Sequence, residues 1–229
     1  MVIPLYDDDP LEGKMTPYIT YGLVAANILA AIATLGLSLE SYQSLINEFG
    51  LVPATITREP LTGDFMSRAT AFLTSMFLHG NWAHLLFNML FLWIFGDNVE
   101  DRLGHFPYLV FYFAAGTAGA MAHIFANPAS VMPSIGASGA IAGVMGAYIL
   151  LYPFARVQTL IFIFIFIQVV EIPAVFFLGF WFLLQFFAGA LSLGAATYQG
   201  GGVAWWAHIG GFLVGVVTVL LFGLRRRRY

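Results

Sequence analysis

Long apolar runs separated by short polar segments dominate the chain. A helix that crosses the hydrocarbon core of a bilayer needs about 20 mostly apolar residues. Six segments meet this requirement, at approximately 18–37, 80–99, 106–126, 137–153, 172–193 and 204–223. The pattern therefore predicts an all-α membrane protein with six transmembrane helices.

The stretch 157–193 does not fit a single span. As one helix it would be about 55 Å long, nearly twice the thickness of a hydrocarbon core. Pro173 divides it, because proline suits the first turn of a new helix. We expect the leading piece, 157–170, with its Ile-Phe-Ile-Phe-Ile-Phe run, to be interfacial or re-entrant. The alternative is a seventh span.

The placement of basic residues distinguishes these two counts. Lys and Arg accumulate on the cytoplasmic side of membrane helices, and Arg225 to Arg228 follow the last segment. With six spans, the cytoplasmic side also holds Lys14, Arg102 and Arg156, and the outer side holds Arg58 and Arg68. We therefore expect a multi-pass protein of the plasma (inner) membrane with both termini in the cytoplasm. Its parts are a polar extension (1–17), a membrane domain (18–224) and a basic cytoplasmic tail (225–229).

Composition supports the membrane assignment. Hydrophobic residues make up 60% of the chain and charged residues only 9%, whereas soluble domains carry roughly 25% charged residues. This excludes a soluble enzyme and a nucleic-acid-binding protein, and makes the lipid bilayer a partner. The chain has no cysteine, so disulfides and thiolate metal ligands are excluded. We expect no cofactor and no metal.

Ser138 stands at the start of the fourth segment, in Gly136-Ala137-Ser138-Gly139. A serine in a membrane helix usually bonds the carbonyl four residues earlier and has no chemical role. Here, however, small residues surround it, and Gly139 and Gly143 share a helical face. Such a face lets another backbone approach closely.

His208 stands near the start of the sixth segment and shares a helical face with Gly211 and Gly215. A histidine within a membrane span is rare and is a functional candidate, although a simple bridging hydrogen bond between helices is the alternative. Two glycine-rich faces pack at short range. We therefore expect Ser138 and His208 to meet near the outer ends of their helices.

His84 and Asn88 stand four residues apart at the start of the second segment, so they share one face. Two other interpretations are a polar patch that joins helices and a metal site. A metal site is disfavoured because neither a carboxylate nor a thiolate stands nearby. With six spans, the starts of the second, fourth and sixth helices lie on the same side, so His84 and Asn88 would be near Ser138.

These residues suffice for acyl transfer. Ser138 would be the nucleophile, and His208 would be the base that activates it and the acid that protonates the leaving amine. Asn88, His84 and the Ser138 backbone N–H would stabilise the oxyanion. The outer halves of the predicted spans contain no Asp or Glu as a third member. The set therefore predicts a Ser–His dyad.

Three motifs together resemble those of the rhomboid family of intramembrane serine proteases. They are Gly136-Ala137-Ser138-Gly139, His84-x-x-x-Asn88, and Ala207-His208 followed by Gly211 and Gly215. The segment Val99–Gly104 resembles the turn after the family's second span, and the resemblance covers about 65–223. It implies a six-helix bundle with a water-filled cavity, in which transmembrane protein substrates are cleaved near the outer membrane face.

The resemblance also implies roles for the loops. The 38–79 loop would be the family's partly embedded loop, and the fifth span with 194–203, including Gly200 to Gly202, would form a gate and cap. Two positions depart from the family. Thr70-Ala71 stands where many relatives have Trp-Arg, and Ala142 stands where some have a tyrosine against the catalytic histidine.

The other polar residues are expected to be structural or solvated. His79 would face the interface or cavity water, and His105 and His123 would lie near helix ends. Asn27, Gln168 and Gln185 would form interhelical hydrogen bonds, and Asp97, Glu100 and Asp101 would form a solvated helix end. Two other functions fit less well: an inactive relative that binds transmembrane helices, and a small transporter.

Overall fold

The computed structural model describes residues 2–8, 15–58, 65–163, 166–193 and 203–224, and this part of the chain is mostly helical. Its elements, in chain order, are β1 (Val2–Asp7), α1 (Tyr18–Thr34), α2 (Leu39–Phe49), α3 (Pro53–Arg58), α4 (Phe65–Thr74), α5 (Trp82–Leu103), α6 (His105–Ala126), α7 (Ser138–Leu151), β2 (Arg156–Ile163), β3 (Phe166–Pro173), α8 (Ala174–Leu193) and α9 (Trp205–Leu221).

A helix lies within or across each of the apolar segments predicted from the sequence: α1, α5, α6, α7, α8 and α9. Among the described residues, α6 and α8 are long and apolar enough to cross a membrane by length and composition. The apolar helices α1, α7 and α9 are shorter, at 17, 14 and 17 residues.

Helix α7 lies at the centre of the fold. Every residue from Gly139 to Tyr148 is buried, and α7 packs against α5, α6, α8 and α9. Its contact with α9 requires glycine, because a Cβ at Gly211 would lie 1.9 Å from the Gly139 carbonyl oxygen. Likewise, a Cβ at Gly215 would lie 2.0 Å from the carbonyl oxygen of Gly143.

The segment between α1 and α5 forms short helices, α2 to α4, followed by a 3-10 turn at Ser75–Phe77. Ala71 of α4 is buried in a small apolar cluster with Leu51 and Ile124. The Thr74 hydroxyl donates to the Phe49 carbonyl at 2.7 Å. Near the Thr70-Ala71 departure, apolar packing of Ala71 and the Thr74 hydrogen bond therefore both anchor α4.

A three-stranded antiparallel sheet, in the order β1-β2-β3, corrects the all-α prediction. The piece 157–170, expected to be interfacial or re-entrant, lies in a hairpin in which Val157 pairs with Ile172 and Leu160 with Val169. Strand β1 comes from the N-terminal extension and pairs with β2, with Val2 opposite Ile161. The hairpin starts after α7 and leads into α8.

Glu100 also differs from the sequence-based expectation, because it is fully buried rather than part of a solvated helix end. Its carboxylate accepts hydrogen bonds from the backbone N–H groups of Ile19 and Thr20, at 2.9 and 2.7 Å, and from the Thr20 hydroxyl at 2.7 Å. His105 Nδ1 lies 2.5 Å from the same carboxylate. Glu100 therefore caps the start of α1, where free N–H groups favour a negative charge.

Two residues expected to bond between helices do not. Gln168 lies exposed in β3. Asn27 is buried, but its amide donates to the Leu23 carbonyl of its own helix at 2.8 Å. The interhelical prediction is therefore wrong for Gln168 and Asn27.

Candidate active site

The starts of three helices meet at one end of the fold and carry the predicted site residues. Ser138 is the first residue of α7, His208 lies in the first turn of α9, and His84 lies in the first turn of α5. One cavity is lined by Ser138, His208, His84 and Asn88 together. The structure thus brings all four predicted side chains to a common space.

Ser138 and His208 are in direct contact. His208 Nε2 lies 2.8 Å from Ser138 Oγ, which is the distance of a hydrogen bond between a hydroxyl and a ring nitrogen. His208 is buried, whereas Ser138 is only partly buried at the wall of the cavity. The hydroxyl can therefore meet a substrate while the ring behind it is shielded.

The local backbone presents Ser138 at a helix N-terminus. Gly136 has a φ of +122°, a conformation that favours glycine, and its N–H donates to the Ser75 carbonyl. Ala137 is the N-cap of α7, and its carbonyl accepts from Ile141 N–H. The first N–H groups of a helix have no acceptor within it, so they point a partial positive charge toward Ser138.

His84 and Asn88 lie beside Gly136. A Cβ built on Gly136 would lie 2.9 Å from His84 Nε2 and 3.6 Å from Asn88 Nδ2. In the described part of the chain, the buried Asn88 amide nitrogen has no hydrogen-bond partner. The Asn81 side chain accepts from His84 N–H at 2.8 Å and so fixes the start of α5. Both side chains are available to donate into the space before Ser138.

The cavity in front of Ser138 has a volume of about 640 Å³. Its walls combine the polar groups above with apolar side chains such as Phe91, Met145 and Trp181. This is the composition of a site that holds an apolar chain while a few polar groups act on it. Among the described residues, no group of three or more His, Cys, Asp or Glu could hold a metal ion.

Gln185 is part of this site, a role that the sequence-based interpretation missed. Its Oε1 lies 2.7 Å from His208 Nδ1, and its side chain is buried. It forms the predicted interhelical bond, and the partner is the proposed base itself. Trp181, one turn earlier on α8, has its ring 5.7 Å from the His208 ring. These contacts hold the His208 ring where Ala142 is too short to do so.

The remaining histidines lie at the edges of the site. His79 is fully buried, so the expectation that it faces interface or cavity water is wrong. Its ring lies 5.1 Å from that of His84, and its carbonyl accepts from the Tyr42 hydroxyl at 2.8 Å. Burial of Tyr42 raises the pKa of this phenol. His123 lines a separate, smaller cavity beside Trp206.

Two predicted features lie outside the described residues. They are most of the 194–203 segment, with Gly200 to Gly202, and the basic run Arg225 to Arg228.

With this geometry in place, comparison with known proteins gives the family. The sequence profile of the rhomboid domain matches residues 66–225. The chain is 32% identical over 162 residues to "Rhomboid protein 1, mitochondrial" of Saccharomyces cerevisiae, covering 69% of this chain and 43% of that protein. The chain belongs to the rhomboid family, whose members are membrane-embedded and multi-pass.

Two bacterial relatives carry the word protease in their names. The chain is 47% identical over 75 residues to "Rhomboid protease GluP" of Bacillus subtilis, covering 33% of this chain and 14% of that protein. It is 31% identical over 125 residues to "Rhomboid protease AarA" of Providencia stuartii, covering 49% and 42%. The matched segments thus span less than half the length of these relatives. Relatives named as proteases indicate hydrolase activity for the family.

Proposed function

We propose that this protein is an intramembrane serine endopeptidase that cleaves transmembrane protein substrates near the outer membrane face. The observation that carries the proposal is the 2.8 Å contact between His208 Nε2 and Ser138 Oγ at the wall of a large cavity. Relatives named as proteases support the same reaction class.

In the proposed reaction, Ser138 Oγ attacks the carbonyl carbon of the scissile peptide bond while its proton passes to His208 Nε2. The carbonyl oxygen becomes an oxyanion, and His84, Asn88 and the Ser138 N–H would donate to it. Collapse breaks the C–N bond, and the amine leaves with the proton from His208. Water then attacks the carbonyl carbon of the acyl-serine while one of its protons passes to His208 Nε2. Collapse breaks the C–Oγ bond, the proton passes from His208 to Ser138 Oγ, and the acid is released.

The proposed topology has six transmembrane helices, α1, α5, α6, α7, α8 and α9, with both termini in the cytoplasm of the plasma (inner) membrane. The hairpin β2–β3 supports the count of six. It starts after α7 and leads back into α8, so the segment between these two helices adds no further crossing of the membrane. The starts of α5, α7 and α9 then lie on the outer side with the site.

A fluorophosphonate probe tests the proposed activity. The purified protein in detergent should be labelled, and Ser138→Ala should not be, because the probe reacts only with an activated serine. The wild-type protein should also cleave a reconstituted transmembrane substrate, while Ser138→Ala and His208→Ala should not. An unlabelled wild-type protein that cleaves nothing would contradict the proposal and favour an inactive relative that binds transmembrane helices.

A further inference from the structure

His208 has partners on both ring nitrogens, and they come from different helices. Nε2 faces Ser138 of α7 at 2.8 Å, and Nδ1 faces Gln185 Oε1 of α8 at 2.7 Å. Both Gln185 and His208 are only 7% exposed. The three side chains therefore form one continuous chain of hydrogen bonds that runs from the cavity wall at Ser138 to the buried side chain of Gln185.

Gln185 is a costly residue at this position. Most of α8 is apolar, and an amide buried in such surroundings costs free energy unless it is hydrogen-bonded. The other hydroxyl or amide side chain of α8, that of Ser192, donates to the Gly189 carbonyl of its own helix at 2.6 Å. Gln185 instead reaches 23 positions along the chain to His208. Its hydrogen bond is therefore specific to that ring.

The bond also fixes the tautomer of His208. An amide oxygen only accepts, so Nδ1 must carry the proton and donate it. Nε2 then presents its lone pair to the Ser138 hydroxyl, as a general base requires. The opposite amide orientation would place the proton on Nε2 and block proton transfer from Ser138. In serine proteases with a third residue, an aspartate accepts from Nδ1 in the same way.

Helix α8 contacts the same ring a second time through Trp181. The Trp181 and His208 rings are inclined by 34°, with centroids 5.7 Å apart. Because Trp181 and Gln185 are four residues apart, they share one face of α8. Trp205 adds an edge contact from α9, with centroids 6.4 Å apart and planes at 88°. The ring is therefore held against α8 by a tilted ring contact and by a hydrogen bond.

We propose that Gln185 completes a Ser138–His208–Gln185 triad as the positioning residue that sets the tautomer and orientation of the base. This inference rests on the proposed protease function. It makes catalysis depend on α8, since a displacement of α8 separates Gln185 from His208. Among the described residues, the titratable groups that act electrostatically on His208 are His84 of α5 and His123 of α6.

Paired substitutions at Gln185 test the triad. Gln185→Met keeps the length of the side chain and removes the acceptor, and Gln185→Glu replaces the acceptor by a carboxylate. Leu184→Met is the matched control, because Leu184 is the neighbouring residue on the exposed side of α8. Each protein is assayed for cleavage of a fluorogenic transmembrane peptide in detergent, with kcat, KM and the pH profile of kcat/KM measured.

We expect Gln185→Met to lower kcat by at least about tenfold with little change in KM, since general acid–base catalysis contributes about 10²- to 10⁴-fold. The acid limb of the pH profile of kcat/KM of this variant should move to lower pH, because the protonated His208 ring loses a hydrogen-bond acceptor. In Gln185→Glu the carboxylate stabilises the imidazolium, so more of the base is protonated at a given pH and the acid limb should move to higher pH. Leu184→Met should match the wild type.

The outcomes separate the two proposals. If the wild-type protein neither cleaves nor reacts with fluorophosphonate, the protease function itself fails. If the wild type is active and Gln185→Met keeps its kcat and pH profile, the triad is overturned. A loss of activity in both variants without opposite shifts of the acid limb also overturns it, because a purely structural role gives no such shifts. Thermal unfolding identifies a misfolded variant. If one variant is misfolded, the kcat and pH profile of the folded variant test the triad.

Discussion

Helices α7 and α9 approach so closely that one added Cβ atom at their crossing would clash with backbone. The backbones meet where neither helix has a side chain, at Gly139 against Gly211 and at Gly143 against Gly215. This contact places the start of α9, and hence His208, next to Ser138. Any added carbon at the crossing must push the two helices apart and lengthen the Ser138–His208 contact.

A methyl group tests this crossing. Gly211→Ala would place a Cβ 1.9 Å from the Gly139 carbonyl oxygen, and overpacking of this kind costs about 1–3 kcal/mol. We expect a lower Tm in detergent and loss of fluorophosphonate labelling. Gly22→Ala is the control, because no described atom outside its own helix lies within 4 Å of that Cβ. Equal Tm values for the two variants would contradict the close packing.

The buried carboxylate of Glu100 gives a second prediction at this scale. Glu100→Gln keeps the shape but removes the charge that accepts from Ile19, Thr20 and His105. Loss of charge-assisted bonds to a buried group should lower the free energy of unfolding by roughly 1–3 kcal/mol. Glu40→Gln, at an exposed site in the first turn of α2, should lower the Tm less, because a charge at an exposed helix start contributes only about 0.3–1 kcal/mol. Thermal unfolding of both variants in detergent compares them.

Residues near the reaction were easier to predict than their supports. Ser138 and His208 stand out because each lies beside glycines in an apolar helix. The sequence predicts an interhelical hydrogen bond for Gln185, but its partner depends on how α8 packs against α9, which the sequence does not encode locally. The sequence predicts a solvated charge at Glu100, because it stands among Asp97, Asp101 and Arg102, and the Ile19 and Thr20 N–H groups that it binds are about 80 positions away.

At the scale of elements, the sheet is the feature that the sequence pattern concealed. A strand with one buried face shows alternating apolar and polar residues. The run from Ile161 to Phe166 is apolar at every position, so no such alternation is visible. Strand β1 is also distant in sequence, since Val2 pairs with Ile161. The helices, by contrast, follow from apolar segments that can be recognised locally.

Asp7 of β1 connects the sheet to helices α5 and α7 by hydrogen bonds. It is buried, and its carboxylate accepts from Asn98 at 2.8 Å and from the Tyr148 hydroxyl. Asp7→Ala should lower the Tm, because it removes the acceptor of both hydrogen bonds. Asp8→Ala is the matched control, because Asp8 is exposed and its loss should cost less.

The same pair of variants separates stability from chemistry. Tyr148 lies ten residues beyond Ser138 along α7, which is about 15 Å in a helix. Folded Asp7→Ala protein should therefore keep fluorophosphonate labelling of Ser138. If labelling is lost while the protein remains folded, the contacts of the sheet affect the reactivity of Ser138 as well as the stability of the fold.

At the scale of the whole molecule, the proposed arrangement puts the reactive end and the sheet on opposite sides of the membrane. The α6–α7 loop adjoins the start of α7, so the proposed topology predicts it on the outer side. The β2–β3 hairpin adjoins the end of α7, so the same topology predicts it in the cytoplasm. Since the chain has no cysteine, labelling of a single introduced cysteine shows on which side of the membrane that position lies.

Two substitutions make the comparison. Ala129 is exposed in the α6–α7 loop, and Glu171 is exposed in β3. A membrane-impermeant maleimide added to intact cells should label Ala129→Cys and should label Glu171→Cys only after the membrane is permeabilised. The opposite pattern would place the Ser138–His208 pair on the cytoplasmic side, and labelling of both in intact cells would contradict a membrane between them. Fluorophosphonate labelling of each variant provides the control that the site is still folded.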